Sequence, residues 1–91
     1  MLLNINIKRS AVKDLKNIDK TIALKIVEIL ENFGEKEIKE SLKLQGIKDK
    51  KDLYRYRFKD YRIIYDKIDF KDSVNIDILR ILHRQNAYDK I

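Results

Sequence analysis

The chain has no cysteine, no proline and no tryptophan, and only two glycines and one histidine among 91 residues. Without Cys there can be neither a disulfide framework nor a thiolate metal cage. One His and no acidic cluster at ligand spacing make a metal site unexpected. The glycines, Gly34 and Gly46, stand too far apart for a glycine-rich phosphate loop, so no cofactor is expected either. No apolar run approaches the roughly 20 residues of a membrane span. The N-terminal LLNINIKRSAVKDL alternates with Asn and then turns charged, unlike the unbroken apolar core of a signal peptide. These absences lead to the expectation of a cytoplasmic protein with no membrane partner.

What is present suits a small globular fold. The hydrophobic share of 44% excludes a fully disordered chain. The length allows one domain over residues 1–91, with one modest core that relies on packing or on a bound partner. Charge is uneven. Residues 1–40 carry 8 Lys/Arg and 7 Asp/Glu, whereas residues 41–91 carry 13 and 8. A basic excess on one part of a small domain suits a polyanion or an acidic protein, although 40% charged residues is also what a well-solvated surface looks like. The placement of Arg is more informative. Lys is scattered throughout, but five of the six Arg (Arg55, Arg57, Arg62, Arg80 and Arg84) fall between residues 55 and 84. A local switch from Lys to Arg favours planar, bidentate contacts over mere solubility.

Periodicity supplies the fold. Leu3, Ile5 and Ile7 alternate with Asn4 and Asn6, which predicts a half-buried strand. Ser10 is a candidate cap for a short helix carrying Val12, Leu15 and Ile18. Asp19 is a second cap, before a helix with the apolar stripe Ile22, Ile26, Ile29, Leu30 and Phe33. Gly34 is expected to end that helix in the left-handed conformation. Ile38, Leu42 and Leu44 suggest a weak helical turn followed by a docking segment. Gln45-Gly46 reads as a turn and residues 48–52 as a solvated loop. The period then becomes two. LYRYRF (53–58) and YRIIYDKI (61–68) form a hairpin about Lys59-Asp60, and VNIDILRIL (74–82) a central strand. The expected fold is α+β, β-α-α-β-β-β, with a helical hairpin packed on a mainly antiparallel four-stranded sheet.

Arg55, Arg57, Arg62, His83, Arg84 and Tyr88 remain as a constellation. By alternation Arg55 and Arg57 share one side of their strand, opposite Tyr54, Tyr56 and Phe58. Grouped guanidinium ions stabilise a phosphate whose charge grows during displacement. Such a site can cleave RNA when a base activates the 2′-OH and an acid protonates the leaving 5′-oxygen. Tyr88, His83 and Arg84 are the candidates for those proton transfers. The structural readings stand beside these. Tyr54, Tyr56, Tyr61 and Tyr65 suit the core, Arg55 and Arg57 can pair with Asp60 or Asp66, and Arg80, between Leu79 and Ile81, reads as structural or partner-binding rather than catalytic. Ser10, Ser41 and Ser73 suit caps and turns better than a nucleophile.

The stretches LKLQG (42–46), LYRYRFKDYRIIYD (53–66) and ILRILHRQNAY (78–88) resemble the RelE/ParE superfamily of toxins from type II toxin–antitoxin pairs, in its RelE-like branch. The pairing of "DYR-I-Y" with "HR-x-x-x-Y" is the most specific part, and the resemblance covers nearly the whole chain. It implies a RelE-like microbial RNase-type fold and a ribosome-dependent, metal-independent endoribonuclease. Such a toxin cuts messenger RNA in the A site of a 70S-type ribosome by attack of the 2′-OH on the scissile phosphate. It assigns catalytic roles to Arg62, Arg84 and Tyr88, and phosphate or RNA binding to Arg55, Arg57 and His83. Three residues separate Arg84 from Tyr88, fewer than in some RelE proteins. The resemblance further implies a RelB-like antitoxin as partner, in a heterotetramer or higher assembly. The alternative within the superfamily is a ParE-like toxin that inhibits DNA gyrase by binding, without nuclease activity.

Overall fold

The computed structural model describes residues 2–44 and 53–86. The chain begins with strand β1 (Leu2–Ile7), followed by helices α1 (Arg9–Lys16), α2 (Lys20–Glu31) and α3 (Glu35–Glu40). Strands β2 (Leu42–Lys43), β3 (Leu53–Phe58), β4 (Tyr61–Asp69) and β5 (Ser73–His83) follow, and Arg84–Asn86 form a 3₁₀ turn. The sheet order is β1-β5-β4-β3-β2. β1 pairs with β5 in parallel and all other pairs are antiparallel. The expected α+β architecture is therefore present, with β5 an interior strand between β1 and β4, and β4 in the middle. Among the described residues the sheet has five strands rather than four, because Leu42–Lys43 pairs with Tyr54 and Arg55 instead of merely docking.

The core lies between the helices and one face of the sheet. Ala11 of α1 and Ile26 and Leu30 of α2 are buried with Phe33 against Ile63, Tyr65, Val74, Ile76, Ile78 and Ile81. Tyr54, Tyr56, Phe58 and Tyr61 pack on this cluster, as their alternation predicts. Phe33 meets Tyr56 and Tyr65 edge-on at 5.6 and 5.2 Å, and Tyr54 stacks on Tyr65 at 5.5 Å, geometries favoured by ring quadrupoles. On the opposite face, helix-free among the described residues, Ile64 and Leu82 are buried and Leu44 packs against them.

One expected cap is present, and other local expectations change. Asp19 caps α2 by accepting the Thr21 N–H at 3.2 Å. Ser10 is not a cap. It lies inside α1, whose N-cap is Lys8, and its hydroxyl donates to Leu79 O at 2.6 Å. Val12 faces solvent, and Ala11 takes the buried position on α1. Gly34 is not left-handed. At φ −150° and ψ −160° it is extended and is the N-cap of α3, its N–H donating to Glu37 Oε1 at 2.6 Å. The weak turn at Ile38 is thus a six-residue helix, separated from α2 by Asn32, Phe33 and Gly34. The Gln45-Gly46 turn and the charged 48–52 loop lie outside the described residues, as does Tyr88.

Candidate nucleic-acid interface

Strand register sorts the Arg residues by face. Arg57 stands directly opposite Arg62 across β3 and β4, and Arg62 opposite Leu82 across β4 and β5. Arg55 pairs with Ile64 and shares this helix-free face. Two guanidinium groups directly opposite one another cost stability, by a few tenths of a kcal/mol up to about 1 kcal/mol. The sequence thus concentrates positive charge where folding alone disfavours it. Arg57 is exposed and Arg55 and Arg62 are half-buried.

The hairpin orients Arg62. Lys59 adopts φ 52°, a left-handed conformation that turns the chain between Phe58 and Tyr61. This aims carbonyl oxygens back at the strand, and Arg62 Nη1 donates to Lys59 O at 3.3 Å and to Tyr61 O at 3.2 Å. Arg84 follows the end of β5 beside the same turn. Its N–H donates to Asp60 O at 2.6 Å, and its Nε lies 3.8 Å from Asp60 Oδ1. That ion pair is solvent-exposed and long, so it restrains Arg84 only weakly.

His83 is not brought to the Arg face. It stands opposite Tyr61, which packs on the helix-side core, and their rings meet edge-on at 5.3 Å. Its Nδ1 accepts the Gln85 N–H at 3.3 Å. His83 and Tyr61 instead line a shallow cavity of about 240 Å³ with Asp14, Asn17, Ile18 and Arg80.

Arg80 is structural, as its neighbours suggested, but for a reason the spacing did not supply. The β4–β5 register shifts between Ile64, opposite Arg80, and Tyr65, opposite Ile78, leaving Leu79 as a bulge. A bulge frees backbone groups from the ladder, and α1 satisfies them. Ser10 Oγ donates to Leu79 O, and Asp14 Oδ2 accepts the Ile81 N–H at 2.9 Å. Asp14 also accepts Arg80 Nε at 2.8 Å and Nη2 at 3.0 Å, a bidentate pair that raises the Arg80 pKa further above its ordinary value. Ser10 and Asp14 are one turn apart on α1, so a single helix face fixes the bulge. Sequence reading missed both positions. Their signal was the break in β5, where the apolar alternation at 74, 76 and 78 runs into Leu79 and meets Arg80, resuming out of phase at Ile81.

Burial raises the Tyr65 pKa, and burial with Glu40 and Glu37 nearby raises that of Tyr56. Both hydroxyls belong to the helix side, away from Arg57 and Arg62. Among the described residues no group of His, Cys, Asp and Glu is arranged to hold a metal ion, and no helix is long and apolar enough to cross a membrane.

Comparison with known proteins agrees with this architecture. The chain is similar over 92% of its length to the RelBE2 toxin–antitoxin complex of Mycobacterium tuberculosis, covering all of that chain at 21% identity with a TM-score of 0.73, a likeness of fold. It is similar to the archaeal RelE–RelB complex of Pyrococcus horikoshii at 30% identity, over 92% of this chain and 97% of that one, with a TM-score of 0.64. The RelB–RelE antitoxin–toxin complex of Methanococcus jannaschii matches at 27% identity, over 92% and 95% of the two chains, with a TM-score of 0.60. No curated protein sequence matches. The family model described as "ParE toxin of type II toxin-antitoxin system" matches residues 5–88. The chain therefore belongs to the ParE toxin family of type II toxin–antitoxin systems, within the RelE/ParE superfamily.

Proposed function

We propose that the chain is a single-domain toxin, acting in the cytoplasm, that cleaves messenger RNA on the ribosome without a metal ion. The observation that carries this reading is the Arg57–Arg62 opposition on the helix-free face. A like-charge pair that folding disfavours gains a purpose when a phosphate lies across it. Arg55 extends the cationic strip, and Arg62, braced on the turn carbonyls, is the transition-state contact. In the reaction the 2′-OH loses its proton and its oxygen bonds to phosphorus. The bond to the 5′-oxygen breaks, giving a 2′,3′-cyclic phosphate and a 5′-hydroxyl end. Tyr88 is proposed as the base or as a stacking platform, and Arg84 as donor to the leaving oxygen. His83 binds RNA only if the strand wraps past the hairpin end to the helix side.

The antitoxin of such a pair, RelB-like by analogy with the complexes above, is the proposed protein partner. A second reading has one observation in its favour, the ParE description of the matching family model. In that case the chain inhibits DNA gyrase by binding and cuts no RNA.

Primer extension on a reporter transcript after induction decides between them. The nuclease reading expects new 5′ ends in translated regions with the wild type, and their loss with folded Arg62→Ala and Arg84→Ala. Toxicity that survives both substitutions, with cleaved gyrase complexes accumulating on supercoiled DNA, would establish the second reading and remove the first.

A further inference from the structure

The sheet has two edges of opposite character. β2 is two residues long, a length that blunts an edge. β1 is six residues long, and its sequence LLNINI carries no charge in a chain that is 40% charged. It has no Pro and no bulge on its β5 side. An edge this long, uncharged and regular is a template for another strand.

The geometry points to a second copy of β1 as the occupant, paired antiparallel about a two-fold axis through Ile5. Leu2 N donates to Asp72 O and Lys8 N to Ile78 O, so the even-numbered residues direct their backbone groups toward β5. In a parallel ladder both groups of a residue point the same way, so Leu3, Ile5 and Ile7 present theirs outward. These three are symmetric about Ile5. Antiparallel pairing puts Ile5 against Ile5 of the second copy and Leu3 against Ile7 of the second copy, all as doubly hydrogen-bonded pairs. On the helix side, apolar residues then meet apolar residues.

The other face is equally self-complementary. Asn4 Nδ2 donates to Asn75 Oδ1 at 3.0 Å, and Asn6 Nδ2 donates to Asp77 Oδ1 at 3.2 Å. Each amide keeps a second N–H and its oxygen. The two-fold places Asn4 opposite Asn6 of the second copy in the non-hydrogen-bonded pairs, where side chains approach most closely. Each amide can then give one bond and take one. A strand with charge or bulk at those places fits less well than the edge fits itself. Pairing also covers Leu2 and Ile7, which are exposed in the single chain. This association requires neither RNA cleavage nor an antitoxin.

The absence of native Cys makes the test clean. Full-length Asn4→Cys and Asn6→Cys are mixed under mild oxidation, and each is oxidised alone. The two-fold register expects a covalent dimer from the mixture and little from either variant alone. Sedimentation of the wild type should show a reversible dimer. Asn4→Lys/Asn6→Lys, exposed changes that set like charges opposite one another, should weaken it by about tenfold or more while the circular dichroism spectrum is unchanged. Three results would overturn the inference. These are a monomer at every concentration, a dimer that the Lys substitutions leave intact, or cross-linking of Asn4→Cys alone as efficient as that of the mixture.

Discussion

Arg57 and Arg62 face each other across the β3–β4 ladder, on the sheet face opposite the described helices. Their opposition separates two demands on the same residues, since stability favours losing one charge and phosphate binding favours keeping both.

Replacing Arg57 by Gln should therefore leave the free protein as stable as the wild type or up to about 0.5 kcal/mol more stable. The same change should weaken binding of a single-stranded RNA oligomer and reduce the salt dependence of binding by about 0.7 in log–log slope. Thermal melting and fluorescence anisotropy over a salt series measure the two effects. A variant destabilised by more than about 1 kcal/mol with an unchanged salt slope would make Arg57 a structural residue.

Asp14 should matter more to stability than the Arg it pairs with. It accepts two bonds from Arg80 and one from the Ile81 backbone at the bulge. Asp14→Ala leaves a half-buried guanidinium and a bulge N–H without their acceptor, costing about 2–3 kcal/mol. For a chain of this size that lowers Tm by roughly 10 °C or more. Arg80→Ala should cost less, because Asp14 keeps the Ile81 N–H. Calorimetry that ranks the two variants the other way would show that the bulge is held by something other than Asp14.

The same region marks the limit of what the sequence discloses. Strict alternation identified β1, β3 and β4 and placed Tyr54, Tyr56, Tyr61 and Tyr65 on the packed side, because a buried face forces period two. Alternation also placed Arg55 and Arg57 together. It gave no sign that His83 stands beside Tyr61, because one extra residue at Leu79 reverses the alternation of β5 beyond it. His83 joins Tyr61 on the helix side, while Arg80 stands opposite Ile64 and reaches α1 only through its pair with Asp14. Ser10 was read as a cap because Ser commonly is one, yet its partner is 69 residues away in sequence, beyond any local rule.

Gly34 gives a direct comparison of the two kinds of reading. A left-handed glycine resists substitution at a cost of about 1 kcal/mol or more. The observed Gly34 is extended, and a Cβ there would meet nothing nearer than Glu37 Oε1 at 3.8 Å. Gly34→Ser should therefore be accepted and should stabilise the protein by about 0.5–1 kcal/mol. The gain comes from a side-chain cap for α3 and from a less flexible unfolded chain. Urea denaturation measures it, and a loss of 1 kcal/mol would restore the left-handed reading.

Tyr65 couples packing to pH. Its ring is fully buried between Phe33 and Tyr54, and its hydroxyl has no hydrogen-bond partner among the described residues. The Ser41 hydroxyl lies close enough to lower the Tyr65 pKa by hydrogen bonding. It already donates to Glu37 O at 2.7 Å, however, and makes no well-formed bond to the phenol, so burial prevails. A buried hydroxyl left unpaired costs about 1 kcal/mol or more, so Tyr65→Phe should stabilise the protein by about that amount at neutral pH. Burial holds the folded-state pKa above the ordinary 10.0. Below that value the phenol is neutral in both states and its contribution is complete. As pH rises past 10 the unfolded chain ionises first, so stability falls until the folded phenol also ionises. Wild type should lose stability steeply above pH 10. Tyr65→Phe should lose less, the remaining slope coming in part from Tyr56, whose pKa is also raised. Urea denaturation at neutral pH and across the alkaline range gives both numbers. A Phe variant that is less stable at neutral pH would mean that the hydroxyl has a bonding partner in solution.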